Sequence, residues 1–162
     1  VTRRSVLGDS MGGFNALQVG LKTADFRKVA AICSPVMDLS PWASEDQLQA
    51  AIERSRAWAY DRRTGARLVP PAVTRMVSIA RQFFPDERAW RTSDPLALAV
   101  RGKPQPTRFY LSAGAFDPYV NYEGNELLAS QLRQGGYRVQ WRPQWGGHCT
   151  VDVKSLGAWL TD

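Results

Sequence analysis

Short apolar runs alternate with amphipathic stretches in the first and last thirds of the chain. Four runs that are apolar, or that alternate between apolar and polar residues, predict strands: 5–7, 29–33, 108–112 and 137–142. Three stretches with apolar residues every three or four positions predict helices: 11–22, 125–134 and 152–160. A strand, a helix and a second strand within about thirty residues indicate a βαβ unit, which requires a parallel sheet. We expect Gly8 to end the first strand, and the alternating run to lie nearer the sheet edge.

The stretch 38–98 has a different, largely helical pattern. Ser44 and Gln47 form a capping-box pattern ahead of a predicted helix that ends near Trp58. A proline pair at 70–71 opens a second predicted helix.

We therefore expect an α/β fold, with residues 1–162 forming a single domain that contains a mostly parallel sheet. A helical insertion over about 38–98 would separate two of its strands and partly cover a site. Three tryptophans fall in that insertion: Trp42, Trp58 and Trp90. They either line an aromatic or sugar-binding pocket or form a small core of the insertion, and the sequence does not decide between the two.

Composition excludes several classes of protein. The 162-residue chain is 44 % hydrophobic and 22 % charged, which is ordinary for a soluble globular protein. Its net charge of +6 comes mostly from scattered arginines, which argues against nucleic-acid binding. No apolar run approaches the roughly 20 residues of a membrane span and no signal peptide is visible, so we expect no membrane partner and slightly favour the cytoplasm. Because Val1 lies just before a predicted strand, we expect the N-terminal strands of the domain, and any targeting signal, to lie upstream.

The segment from Gly8 to Gly12 fits the pattern Gly-x-Ser-x-Gly between a predicted strand and a predicted helix. This is the arrangement of a nucleophile elbow, in which the flanking glycines let strand and helix approach closely. The helix N-terminus also presents free N–H groups to the site. We predict Ser10 as the nucleophile and the N–H of Met11 as an oxyanion-hole donor. The alternative is a glycine-rich turn that carries no chemistry.

A serine nucleophile needs a base, and the chain has one histidine, His148. It follows two glycines in a predicted strand-to-helix loop, at the edge where parallel α/β sheets place their sites. Lone histidines are more often surface or core residues, but this position favours a general base.

The third member of a triad would be a carboxylate that orients His148. Asp117 follows a predicted buried strand and completes the chain order Ser, Asp, His of the α/β-hydrolases. Glu123 and Asp152 are the fallback residues, although Asp152 is expected to cap the last helix. The alternative for Asp117, which precedes Pro118, is a turn without a catalytic role, because Asp-Pro pairs commonly start turns. We interpret Asp94, in the other Asp-Pro pair, as structural.

Two cysteines do not indicate a disulfide-built scaffold. Cys33 ends a predicted buried strand and is expected in the core. Cys149, beside His148, suggests a redox or nucleophilic role, which is outweighed because Ser10 already fills the nucleophile position. A Cys33–Cys149 disulfide requires adjacent strand ends, which the sequence does not establish. A single histidine and scattered carboxylates predict neither a metal nor a cofactor.

The segments VLGDSMGGFNAL, FRKVAAICSPV and RFYLSAGAFD, with GGH before a short helix ending in AWL, resemble the esterase D-like branch of the α/β-hydrolases. That branch includes S-formylglutathione hydrolases, feruloyl and acetyl-xylan esterases, enterochelin esterases and mycolyltransferases. The resemblance covers nearly the whole chain, most weakly between 38 and 98. It implies an α/β-hydrolase fold with Ser10 as nucleophile, Asp117 as acid, His148 as base and the Met11 N–H in the oxyanion hole.

Two departures from the branch limit what the resemblance implies. Cys149 and Thr150 follow the histidine where the branch often has an acidic or aromatic residue, so the substrate class is not carried over. The branch also has several strands before the elbow, with the second oxyanion donor in a loop among them, so this chain corresponds to its C-terminal portion.

The sequence therefore predicts a serine esterase that acts on a small-molecule or acylated-sugar ester through an acyl-enzyme. An acyltransferase or peptidase with the same triad, and a non-catalytic hydrolase-fold module, are the alternatives. The oligomeric state is not predicted.

Overall fold

The computed structural model describes residues 4–102 and 106–162. Within these ranges lie four strands: β1 Ser5–Asp9, β2 Lys28–Ile32, β3 Arg108–Gly114 and β4 Arg138–Gln144. They form one sheet in the order β1-β2-β3-β4, and all neighbouring strands are parallel. The predicted parallel α/β fold is confirmed, and β4 lies at a sheet edge as its alternating pattern indicated.

Eight helices accompany the sheet in the described ranges: α1 Ser10–Lys22, α2 Glu45–Arg54, α3 Arg56–Thr64, α4 Val69–Phe83, α5 Glu87–Arg91, α6 Pro95–Arg101, α7 Asn121–Gln134 and α8 Val153–Thr161. Helices α1, α6 and α7 pack on one face of the sheet, and α8 packs on the other. The remaining helices, α2 to α5, follow β2 and stand between it and α6 in the chain.

The two central strands supply the core because their side chains alternate between the two helical layers. Val29 and Phe109 face α1 and α7, whereas Ala30 and Tyr110 face Trp159 of α8. All four of these strand residues are fully buried, as expected for a parallel sheet covered on both faces.

The helix predicted from Ser44 to near Trp58 is wrong in its extent, because two helices occupy this stretch. The capping box of Ser44 and Gln47 begins α2 as predicted. At Ser55 the backbone becomes extended, with ψ at 151°, and the side chain donates to the carbonyl of Ile52 at 2.7 Å. The same hydroxyl accepts the N–H of Trp58 at 3.1 Å. Ser55 therefore ends α2 and caps α3.

Several other boundaries differ from the sequence prediction, and β3 and β4 each continue two residues beyond their predicted ends, to Gly114 and Gln144. The break at Gly8 is wrong, because Gly8 pairs with Ala31 and β1 continues to Asp9. Helix α7 begins at Asn121, one turn before the predicted start at 125. Its first turn carries buried polar residues, and apolar spacing does not predict such a turn.

Within the described ranges, no helix is both long enough and apolar enough to cross a membrane.

Candidate active site

The turn from β1 into α1 carries Ser10 with a φ of 47°, in the left-handed region that non-glycine residues seldom adopt. Close packing holds this turn. A Cβ on Gly8 would collide with the backbone of Gly12, and one on Gly13 would collide with the Ser34 side chain. Gly12 itself has room for a Cβ, whose nearest neighbour would be a side-chain oxygen of Asp9 at 4.0 Å. Close packing therefore requires glycine at positions 8 and 13. Of the two glycines in the motif, only Gly8 is crowded.

The N-terminus of α1 faces the site. The N–H of Ser10 donates to the Sγ of Cys33 at 3.3 Å. Met11 is the second residue of the helix, so its N–H has no carbonyl acceptor inside the helix. The predicted oxyanion donor thus lies directly beside the Ser10 hydroxyl.

Backbone hydrogen bonds to the end of β3 position the loop that carries His148. The N–H of Ala115 donates to the carbonyl of Gln144 at 2.8 Å, and that of Phe116 donates to Gly146 at 2.9 Å. Two residues further on, Nε2 of His148 lies 3.2 Å from Oγ of Ser10.

Asp117 lies on the other side of the imidazole, in the turn after β3. Its Oδ2 is 2.8 Å from Nδ1 of His148, and the residue is fully buried. The carboxylate also accepts the N–H of Tyr119 at 2.9 Å and an amide hydrogen of Asn121 at 3.3 Å. A buried carboxylate needs such donors, because desolvation without hydrogen bonds is costly. The structure thus brings Ser10, His148 and Asp117 into one hydrogen-bonded line.

Two further residues of the site were missed by the sequence analysis. Asn121 is buried, and its amide nitrogen donates both to Asp117 and to the carbonyl of Cys33, the latter at 3.4 Å. The Tyr119 ring lies against the His148 ring, with centroids 4.7 Å apart. The four-residue spacing from Asp117 to Asn121 was visible in the sequence, but it gained meaning only with the earlier start of α7.

The fallback carboxylates have other partners. Glu123 accepts the N–H of Arg56 at 3.0 Å, and burial raises the pKa of its carboxyl. Asp152 caps α8 as expected, accepting the N–H of Ser155 at 3.0 Å. Asp94 caps α6, in agreement with its structural interpretation, and burial raises its pKa.

Cys33 and Cys149 form a disulfide beside the site, with their Cα atoms 4.9 Å apart. Cys33 is fully buried, on the face of the sheet that α8 covers, which confirms the prediction that it lies in the core. The sulfur atoms and a nitrogen of His148 lie within 4.8 Å of one another. Thiolates bind metals and bonded sulfurs do not act as such ligands, so this group is not a metal site in its oxidised form.

A cavity of about 710 Å³ opens beside Ser10 and His148. Its walls come mainly from one side of α1 and one side of α4, and they are largely apolar: Met11, Phe14, Met37, Met76, Ile79, Ala80, Phe83, Phe84 and Trp90. Arg75 is the charged residue of the lining.

The three tryptophans of the helical segment have different positions. Trp90 lines the cavity and stacks on Phe14 with centroids 5.8 Å apart. Trp58 packs against the small core formed by α2, α3 and α4. Trp90 therefore lines a cavity, Trp58 belongs to the local core, and Trp42 is half-buried outside both groups.

A parallel sheet with helices on both faces, and a serine at the turn from a strand into a helix, is the arrangement found in the α/β-hydrolase fold. The chain belongs to the Esterase family, described as "Putative esterase", whose profile matches residues 1–148. The resemblance to α/β-hydrolase esterases is confirmed. A comparison with curated proteins finds no match.

Solved structures with this fold include the thermophilic carboxylesterase EstE1 from a metagenomic library. It has 19 % identity and a TM-score of 0.60, over 96 % of this chain and 51 % of its own. Carboxyl esterase 2 of the fungus Tuber melanosporum has 14 % identity and a TM-score of 0.59, over 89 % of this chain and 44 % of its own. An acylaminoacyl peptidase of Pyrococcus horikoshii has 12 % identity and a TM-score of 0.54, over 90 % and 20 %. This chain thus spans about half or less of the structures that it resembles. These likenesses show the α/β-hydrolase fold, whereas membership of the Esterase family rests on the profile match.

Proposed function

We propose that the chain carries the catalytic triad of a serine esterase, which hydrolyses a carboxylic ester through an acyl-enzyme. The observation that carries the proposal is the line from Ser10 Oγ to His148 Nε2 at 3.2 Å and from His148 Nδ1 to Asp117 Oδ2 at 2.8 Å. With Nδ1–H donating to the carboxylate, Nε2 is free to accept the serine proton.

In the proposed reaction, Ser10 Oγ attacks the ester carbonyl carbon while His148 takes its proton. Negative charge develops on the carbonyl oxygen, where the N–H of Met11 donates and the N-terminus of α1 adds favourable electrostatics. His148 then protonates the departing alcohol, which leaves an acyl group on Ser10. A water molecule, deprotonated by His148, attacks that acyl group, and the acid is released as His148 returns the proton to Ser10 Oγ.

Asp117 does not need to accept a proton in this scheme. Its buried carboxylate holds the imidazole in one tautomer and stabilises the imidazolium that forms transiently. The donors from Tyr119 and Asn121 support that role, because they keep the carboxylate solvated by protein groups.

The substrate we propose is a small ester with an apolar portion that lies in the cavity. The residues of α1 that line the cavity run from Ser10 to Gln18, which corresponds to about 12 Å of helix. Bonded chains advance about 1.2 Å per bond when extended, so this wall matches an apolar group of up to about ten bonds. An acylated sugar remains the alternative substrate, with only its acyl group in the cavity.

Labelling with a fluorophosphonate tests the nucleophile without knowledge of the substrate. We expect the reagent to modify the Ser10 peptide, as located by mass spectrometry, and the label to vanish in Ser10→Ala and to fall by about 100- to 10,000-fold in rate in His148→Ala. Ser130→Ala, an exposed position on α7, is the control. A folded chain that is not labelled would contradict the proposal and favour a non-catalytic hydrolase-fold module.

Turnover assays then separate an esterase from its relatives. We expect hydrolysis of p-nitrophenyl esters, with little cleavage of matched anilides and no dependence on an added alcohol acceptor. Faster cleavage of anilides would favour a peptidase, and product partitioning to the alcohol would favour an acyltransferase.

A further inference from the structure

The Cys33–Cys149 disulfide joins two segments that the sheet keeps apart. Cys33 directly follows β2, and Cys149 lies in the loop after β4, with β3 between the two strands. The two cysteines are 116 positions apart in sequence. The bond therefore links the interior of the sheet directly to the loop after its edge strand.

Cys33 contacts Ser10 directly and is linked to Asp117 and to His148 through one intervening residue each. Its Sγ accepts the N–H of Ser10, and its carbonyl accepts the Asn121 amide that also donates to Asp117. Through the disulfide it is bonded to the residue that follows His148. One buried residue is thus in contact with the nucleophile, with the residue that orients the acid, and with the loop of the base.

The backbone hydrogen bonds that tie this loop to the end of β3 lie before His148, whereas after it Cys149 and Val151 pack against the core cluster that contains Trp159 of α8. Backbone hydrogen bonds from β3 and the following turn reach Gln144 and Gly146, whereas the N–H of Thr150 bonds within the loop, to Gly147. At Cys149 the backbone turns with a φ of 56°, a left-handed conformation that disfavours a non-glycine residue. The disulfide holds the loop directly after the imidazole, at the position where its backbone conformation is least favourable.

We propose that this disulfide is a positioning device for catalysis: it holds the His148 loop against β2 so that Nε2 stays within reach of Ser10, and its reduction lowers turnover. The inference rests on the triad proposed above. A dithiol reductant supplies two electrons and two protons, which convert the disulfide to the Cys33 and Cys149 thiols while the reductant forms its own disulfide. The cavity lining comes mainly from α1 and α4, with His148 as the one lining residue from this loop, so we expect reduction to change the rate of the chemical step more than it changes substrate binding.

The expected loss follows from geometry. A displacement of about 1 Å in a catalytic group costs about 100-fold in rate. We therefore expect the reduced chain to react with fluorophosphonate about 10- to 100-fold more slowly than the oxidised chain, approaching the rate of His148→Ala. For p-nitrophenyl butyrate we expect kcat to fall and KM to change less than about twofold.

The experiment uses the whole chain in oxidised, reduced and reoxidised forms. Because the sequence has two cysteines and one histidine, thiol titration reports this bond alone and the imidazole NMR signals report His148 alone. Circular dichroism monitors the fold in each form. Cys33→Ser combined with Cys149→Ser provides the open state where the buried bond resists the reductant.

Each outcome decides between the two proposals. Slower labelling, a shifted His148 ring signal and recovery on reoxidation support the positioning role. An unchanged labelling rate in a folded chain with two free thiols overturns it and leaves the triad intact. Unfolding of the chain on reduction and in the double variant also overturns it, because the bond would then be structural. Failure of the oxidised chain to label Ser10 counts against the nucleophile itself.

Discussion

The carboxyl edge of the sheet and the helices α2 to α5 are built on different principles. At the sheet edge, the buried Asp117 carboxylate and the Asn121 amide nitrogen have fixed hydrogen-bond partners, and the turn around Ser10 has no room for a Cβ at Gly8 or Gly13. The helical region instead presents apolar side chains to an open cavity, with Ile79 and Phe83 among them. The first region is suited to holding reacting groups in one geometry, whereas the second can accept groups of different length. Changes at the edge should therefore act on rate, and changes in the helices should act on selectivity.

Gly8→Ala should have the largest effect, because its Cβ would enter the backbone of Gly12 and displace the start of α1. We expect fluorophosphonate labelling of Ser10 to slow by about 100-fold, and overpacking to lower the free energy of unfolding by about 1–3 kcal/mol. Gly12→Ala is the matched control for stability, since it has room for a methyl group. Denaturant unfolding that ranks the two variants equally would show that close packing does not hold the elbow.

Asn121→Leu should act next most strongly. It removes the amide hydrogen that Asp117 accepts while keeping a similar volume, and a hydrogen bond to a charged group is worth about 1.5–3 kcal/mol. If about half of this acts on the reaction, labelling slows about four- to tenfold. Asn125→Leu is the control, because Asn125 is equally buried one turn further on and donates to the carbonyls of Ser34 and Asn121 instead. Equal loss of rate in both variants would mean that α7 acts only through general stability.

The difference between the sheet edge and the helical region also explains which features could be predicted from the sequence. The elbow is a local feature, so the glycines around Ser10 and the apolar strand before them were enough to place it. His148 and Asp117 were placed by chain order and by the rule that parallel strands end at one edge. The contact of Asn121 with both Asp117 and Cys33 depends on the relative positions of β2 and α7, which no local pattern contains. The disulfide was left open for the same reason.

The helical region was less predictable because single side chains decide its boundaries. Ser55 divides what apolar spacing presented as one helix, by bonding to the backbone on both sides of itself. Trp58 and Trp90 look equivalent in the sequence, yet one packs in the local core and the other lines the cavity. Their difference arises from tertiary packing.

Ala80→Trp should change selectivity more than rate, because it fills part of the cavity wall on α4. Each methylene group kept out of an apolar site costs about 0.8 kcal/mol, so each lowers the ratio of kcat/KM for p-nitrophenyl octanoate over acetate about fourfold. Ser78→Trp, on the exposed side of the same helix, should leave that ratio unchanged. Loss of activity on acetate to the same degree as on octanoate would argue that the cavity does not bind the apolar chain.

The smallest effect is expected at Glu123, where the two regions are joined. Its carboxylate on α7 accepts the N–H of Arg56 at the start of α3, and burial raises the pKa of its carboxyl above the ordinary value of 4.5. A carboxyl with a raised folded pKa binds its proton more tightly in the folded state. Its contribution to stability is therefore most favourable below pH 4.5, and it declines as pH rises through the folded pKa.

Glu123→Gln keeps an oxygen that can accept the Arg56 N–H but removes the titration. The stability of the variant relative to the parent should therefore increase from acidic to neutral pH, by less than about 1 kcal/mol. Denaturant unfolding across that range measures the difference. Glu126→Gln is the control for charge, since Glu126 on the same helix also lies beside Arg56, at 3.5 Å, but is exposed. The Arg56 guanidinium also lies 3.9 Å from the Glu123 carboxylate. A difference that shrinks as pH rises would mean that this ion pair outweighs burial, and that charge rather than the backbone hydrogen bond joins the helical region to the catalytic edge.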